Sequence, residues 1–153
     1  MLLYIFLISC LHIGHDVLGQ CQPGWYHFGQ SCYTYGESMV TFASAQEICQ
    51  FYSAHLAEIG SASENTFLQT IAKNKSGNAV WIGATDIMNE GIWLWLSSGH
   101  RMFTFLDWAP HQPDDTGAGE DCLGLYGTAS YHWNDFPCNQ LGTFLCEIDL
   151  STS

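Results

Sequence analysis

Between Gln112 and Asp135 the chain gathers Gln112, Asp114, Asp115, Glu120, Asp121, Asn134 and Asp135, all with hard oxygen donors and almost no cations nearby. Five carboxylates and two amides in one region repel one another unless bulk water or a multivalent cation neutralises them. Calcium suits such a set, because it takes six to eight oxygens from carboxylates, amides and waters in an adaptable geometry. Magnesium suits it less well, since it keeps its waters and prefers few protein ligands. A solvated acidic loop is the alternative. Pro113, set between two ligand-type side chains, favours the cage. A cis Gln112–Pro113 bond, a form found at roughly 5 to 6% of X-Pro bonds, would let both flanking side chains turn to one side.

Something must hold that loop, and 153 residues are enough for one domain with its own core. Residues 1–19 differ from the rest: Leu2 to Leu11 is almost wholly apolar, and Val17 and Gly19 are small enough to precede a signal-peptidase cut. This segment is expected to be a secretory signal peptide, leaving 20–153 as the mature domain. A membrane anchor fits worse, because a span needs about 20 apolar residues and His12, His15 and Asp16 interrupt this one. Cleavage removes Cys10 and leaves Cys21, Cys32, Cys49, Cys122, Cys138 and Cys146, an even set that implies a disulfide framework in a secreted chain. Fifteen pairings are open to six cysteines, and spacing does not choose among them. No close cysteine pair or histidine spacing suggests zinc, and His111 and His132 read as loop residues.

The formal charge of −12 becomes −11 without Asp16, and two divalent ions would bring it to −7. Nucleic acid is therefore excluded as a partner class. Folding coupled to calcium by mass action is expected.

Trp25 to Tyr35 alternates around Gly29 as a short hairpin that Cys21 and Cys32 could close. Thr41 to Tyr52 predicts an amphipathic helix with Phe42, Ala45, Ile48, Cys49 and Tyr52 on one face. A second helix starts at Ser61, where Ser61 and Glu64 form a capping box and Phe67, Leu68 and Ile71 line the buried side. Short strands follow at Val80 to Gly83, Ile92 to Leu96, Cys122 to Tyr126 and Thr143 to Glu147. The long segment Ser97 to Asp121 between the second and third of these carries function or needs holding down. The tryptophans Trp25, Trp81, Trp93, Trp95, Trp108 and Trp133 read as core, with Trp133 packed beneath the loop. Asn74-Lys75-Ser76 is a glycosylation sequon at a helix end.

Taken in order, Cys21 with Trp25-Tyr26, Cys49, Trp81-Ile82-Gly83, Gln112-Pro113-Asp114, Glu120-Asp121-Cys122, Trp133-Asn134-Asp135, Cys138 and Phe144-Leu145-Cys146-Glu147 resemble a C-type lectin carbohydrate-recognition domain. The likeness runs from Cys21 to about Ile148 and is to the secreted, single-domain, invertebrate-like kind. It implies an α+β fold, with two helices flanking antiparallel sheets and a calcium-binding long-loop region above. It also implies the bridges Cys49–Cys146 and Cys122–Cys138, with Cys21–Cys32 marking the long form. By the same resemblance a principal calcium ion takes Gln112, Asp114, Glu120, Asn134 and Asp135, and an auxiliary ion takes Asp86, Glu90, Asp115 and Asp121 with Glu120.

The sugar would complete the coordination with two vicinal hydroxyls, each donating its proton to a carboxylate and accepting from an amide. Relatives with Glu-Pro-Asn tend to bind mannose-type sugars. Here Gln112 and Asp114 exchange acid and amide, which implies galactose or N-acetylgalactosamine. Thr116 stands where galactose binders commonly place a stacking Trp, and Tyr131 and His132 on the facing loop are the candidates to substitute. The implied product is a secreted extracellular lectin for glycans, including microbial surface glycans, in innate immune recognition or agglutination. A self-associated dimer or higher oligomer would supply multivalency. A lectin-like domain that binds protein, matrix or mineral is the second reading. A hydrolase using Asp114 and Glu120 is disfavoured, because a glycosidase needs one protonated carboxyl whereas calcium keeps both ionised.

Overall fold

The computed structural model describes residues 19–117 and 119–150, so the expected leader, apart from Gly19, lies outside the described residues, as does Cys10. A hairpin of β1 (Tyr26–Phe28) and β2 (Ser31–Val40) leads into α1 (Phe42–Phe51) and β3 (His55–Leu56). Next come α2 (Ala62–Lys75), β4 (Ala79–Thr85) and β5 (Leu94–Trp95). After the long loop the chain forms β6 (Cys122–Tyr126), a 3-10 turn (Gly127–Ala129), β7 (His132–Phe136) and β8 (Gly142–Asp149).

Local chemistry sets both helix starts. Thr41 Oγ1 accepts the Ser44 N–H at 3.3 Å ahead of α1. Ser61 Oγ accepts the Glu64 N–H at 3.2 Å ahead of α2. The reciprocal arm of the expected capping box is displaced by one residue, with Glu64 Oε2 taking the Gly60 N–H at 2.8 Å. Helix α1 buries Phe42, Ala45 and Cys49, whereas Tyr52 is its C-cap and is 52% exposed, not on the packed face. Helix α2 buries Leu68 and Ile71 as expected, but also the amide Asn65.

The strands run in the order β1-β2-β8-β4-β6-β7, with β3 added on β8 and β5 on β4. Every pairing is antiparallel except β4 with β8, which is parallel through Val80 with Thr143 and Trp81 with Phe144. The expected strand at Ile92 to Leu96 shortens to two residues. The motif Trp133-Asn134-Asp135 and its neighbour His132 belong to β7, paired in register with β6 from Cys122–Phe136 to Tyr126–His132. His132 is therefore a strand residue. Gly83 permits close approach of the backbone, since a Cβ there would lie 2.4 Å from the Leu56 carbonyl.

One core gathers Leu68, Ile71, Ile82, Leu123, Trp95 and Trp133 beneath the long loop, and a second surrounds Phe42, Cys49, Trp81 and Phe144 on the α1 side. The bridges are Cys21–Cys32, Cys49–Cys146 and Cys122–Cys138. Cys49–Cys146 closes a separation of 97 residues, for which the chain-entropy account gives roughly 4 to 5 kcal/mol. Cys122–Cys138 ties the start of β6 to the turn after β7, joining the two stretches that carry the acidic motif.

Candidate functional site

The long loop folds back over β6 and β7, and Gln112–Pro113 is a cis peptide. Asp135, 1% exposed on β7, anchors the loop before any ligand is considered. Its Oδ2 accepts the backbone N–H of Asp114 at 3.0 Å and of Asp115 at 2.8 Å. Asp115 Oδ1 in turn takes the Glu120 N–H at 2.9 Å. Thr116 donates its hydroxyl to Glu120 Oε2 at 2.9 Å, so it steadies that carboxylate. Asn134 donates its side-chain N–H to the Asp135 carbonyl, which leaves its amide oxygen open.

Two carboxylate groups result. Oxygens of Asp114, Glu120 and Asp135 lie within 4.8 Å of one another, as do oxygens of Asp86, Glu90 and Asp121. Asp115 and Asp121 both approach the space over Gly119, where a Cβ would meet Asp121 Oδ2 at 3.6 Å and Asp115 Oδ1 at 3.9 Å. Asp86 follows β4, is 3% exposed, and uses Oδ2 to accept the Gly91 N–H at 2.8 Å. Burial first, and then the neighbouring negative charge, pushes the carboxyls of Asp86, Glu120 and Asp135 above their ordinary range.

Calcium fits both groups. Gln112 Oε1 and Asp86 Oδ1 are buried and meet no hydrogen-bond donor among the described residues; Gln112 lines the same cleft as Asp114 and Glu120, and Asp86 belongs to the second group. A buried acceptor left unpaired costs about 1 to 3 kcal/mol, a cost that a hard cation would remove.

Gln112, Asp114, Glu120 and Asn134 line an open cleft of about 400 Å³. The expected aromatic substitutes are not brought to it. Tyr131 packs against the core below, and its carbonyl accepts from Gln69 Nε2 at 3.0 Å. His132 turns to Asp107, with Nδ1 2.9 Å from Oδ1. The aromatics lining the cleft are Tyr126 and Phe136, at the ends of β6 and β7. Strand pairing puts these two there, so neither stands out before the fold is known.

Beneath the site runs a polar network that reading the residues in order does not reveal. Asn65 Oδ1 accepts the Trp133 Nε1–H at 2.8 Å, and Asn65 Nδ2 donates to Asp107 Oδ2 at 2.7 Å. A third group of potential ligands, His55, Glu147 and Asp149, holds its own partners on β3 and β8. His55 Nε2 contacts Asp149 at 3.2 Å, while Glu147 accepts the Glu58 N–H at 2.9 Å and the Tyr33 hydroxyl at 3.1 Å. Asn74 lies exposed in the last turn of α2. No helix among the described residues is long and apolar enough to cross a membrane.

The model of the Lectin C-type domain family matches residues 38–148. Perlucin of Haliotis laevigata is 36% identical over 130 residues, covering 83% of this chain and 82% of that protein. The galactose-specific lectin nattectin of Thalassophryne nattereri is 31% identical over 153 residues, covering 96% and 94%. Mouse asialoglycoprotein receptor 2 is 36% identical over 132 residues, covering 83% of this chain but only 42% of the receptor. Among solved structures, the carbohydrate-recognition domain of the mouse scavenger receptor C-type lectin superposes with a TM-score of 0.77 at 32% identity, covering 87% of this chain and 99% of that domain.

Proposed function

The chain belongs to the C-type lectin family as a carbohydrate-recognition domain, and from that premise we propose that it is a secreted, calcium-dependent lectin for galactose- or N-acetylgalactosamine-type glycans. One observation carries the reading. The oxygens of Asp114, Glu120 and Asp135 converge within 4.8 Å beside an unpartnered, buried Gln112 Oε1, and the cleft beside them opens to solvent.

Gln112, Asp114, Glu120, Asn134 and Asp135 would hold the principal ion, and Asp86, Glu90, Asp115 and Asp121 the auxiliary one. Bound calcium would supply coordination sites to a pair of vicinal hydroxyls. The remaining work falls to this chain's own groups: Asp114 and Glu120 accept hydroxyl protons, and the Gln112 amide donates to hydroxyl oxygens. Asp135 keeps the loop in place by holding the Asp114 and Asp115 backbone. The order of amide then acid at Gln112 and Asp114 supports galactose over mannose. The printed specificity of nattectin supports the same choice.

The apolar run Leu2 to Leu11, followed by the small residues Val17 and Gly19, supports secretion with 1–19 as a leader. Self-association would give a single weak site the multivalency that agglutination or recognition of microbial surfaces requires. A second reading, a lectin-like domain for protein, matrix or mineral, draws on Thr116, which leaves no Trp stacking surface directly after the acidic motif.

A glycan array read in calcium and again in chelator tests the proposal. Calcium-dependent signal on galactose- or N-acetylgalactosamine-terminated glycans is expected. Signal that survives the chelator, or none in calcium, overturns it.

A further inference from the structure

We propose that the cleft carries a second sugar subsite, formed by Asn78, Tyr126 and Gln140, so that the domain reads a disaccharide rather than a single ring. This rests on the calcium and sugar reading of the neighbouring carboxylates. A diol held by that cluster engages one edge of one pyranose, yet the cleft measures about 400 Å³ and is lined, besides the carboxylates and their neighbours, by Asn78, Tyr126, Phe136 and Gln140. These four include no carboxylate to hold a cation. Their side-chain amides and aromatic rings match a polyol ring, whose hydroxyls need donors and acceptors and whose C–H face packs on an aromatic surface.

This part of the lining is built before a ligand arrives. Asn78, directly before β4, is clasped by the 3-10 turn: its backbone carbonyl accepts the Gly127 N–H at 2.8 Å. Gly127 allows that approach, because a Cβ there would lie 2.8 Å from the Gly77 carbonyl. Asn78 Oδ1 accepts the Thr128 hydroxyl at 3.0 Å, which commits the oxygen and leaves the side-chain N–H groups to donate to a ligand. The Tyr126 ring is braced edge-on by Phe136, with centroids 5.5 Å apart and planes at 87°. Gln140 sits in the turn that its own N–H closes on the Pro137 carbonyl at 2.9 Å, and brings both a donor and an acceptor. The terminal sugar occupies the carboxylate cluster, and the ring linked to it lies against these residues.

Calorimetric titration of the intact protein in calcium tests the subsite with methyl β-galactoside, lactose and a panel of other galactosyl disaccharides. At least one disaccharide is expected to bind about tenfold more tightly than the methyl glycoside, the scale of one or two added hydrogen bonds. Asn78→Asp keeps the acceptor for Thr128 but removes the N–H donors, and Gln140→Ala removes the facing amide. Each is expected to erase most of the disaccharide gain while leaving methyl β-galactoside affinity within about twofold. A panel in which no disaccharide exceeds the methyl glycoside, or variants that keep the gain, overturns the subsite alone. Failure of methyl β-galactoside and every disaccharide to bind in calcium overturns the reading of the carboxylate site, and the subsite with it.

Discussion

Asp135 on β7 and Asp115 in the long loop, twenty residues apart, meet through a 2.8 Å hydrogen bond from the Asp115 N–H to the buried carboxylate. The loop is thus fastened to the sheet by the same side chain that closes the acidic cluster. Its negative charge is costly there, because burial and the facing Asp114 both resist it. A cation is what would make that charge favourable.

Asp135→Asn should therefore separate folding from calcium binding. In chelator the variant should lie within about 1 kcal/mol of the parent, since an uncharged side chain still offers an acceptor to the loop. Calcium at a hundredfold its dissociation constant should stabilise the parent by about 2.7 kcal/mol per ion, and the variant should lose the share of the principal ion. Thermal melts with and without calcium measure both, and an equal calcium response in the two proteins would contradict the assignment.

Exchanging acid and amide, with Gln112→Glu and Asp114→Asn together, should move preference toward mannose-type sugars. Swapping which end of the diol meets a donor and which an acceptor should change the relative affinities about tenfold, or about 1.4 kcal/mol. Competition between methyl galactoside and methyl mannoside reads this directly. An unchanged ratio would mean that the rest of the cleft decides.

Asn65→Ala should cost about 1 to 3 kcal/mol, because it strands the buried Trp133 Nε1–H and removes one of the donors that hold Asp107. Urea denaturation gives the stability. Trp133 precedes Asn134 and Asp135 on β7, so calcium affinity should fall as well; a full-strength calcium response would confine the network to folding.

His55 gives the pH dependence. Burial opposes its protonation, but the hydrogen bond to the Leu56 carbonyl and the carboxylates of Glu147 and Asp149 outweigh burial and raise its pKa. A raised folded-state value means the contribution is fully present below about pH 6.5, the unfolded value, and is lost as pH climbs through the folded one. The stability gap between the parent and His55→Gln should accordingly be wider at pH 5.5 than at pH 8.5, by up to about 1 kcal/mol for a partly exposed pair. Denaturation curves with equal gaps at both pH values would dismiss the idea.

What could be read in advance was whatever local chemistry or a compact motif encodes. Thr41 and Ser61 announce their helices because a hydroxyl that caps a free N–H acts within three residues. Cys122 to Tyr126 is legible as a strand with the bounds it has in the fold, and the resemblance implies the pairing of all six cysteines that the structure shows. Trp133-Asn134-Asp135 reads as a source of amide and carboxylate oxygens but not as strand, because its polar side chains conceal a segment made extended by pairing with β6. Asn65 and the two-residue strand His55–Leu56 carry no local signal, whereas β5 is what remains of the strand expected at Ile92 to Leu96.

The sequence by itself determined the inventory: the oxygens between Gln112 and Asp135, the acid and amide order about Pro113, and the cysteines that brace them. Only the tertiary structure decided which groups meet. Strand register carries Tyr126 and Phe136 to the cleft and the contact with Asp107 takes His132 from it, while Asn78 joins the cleft through a turn fifty residues later. Those outcomes depend on contacts between distant segments, and no window of neighbouring residues contains them.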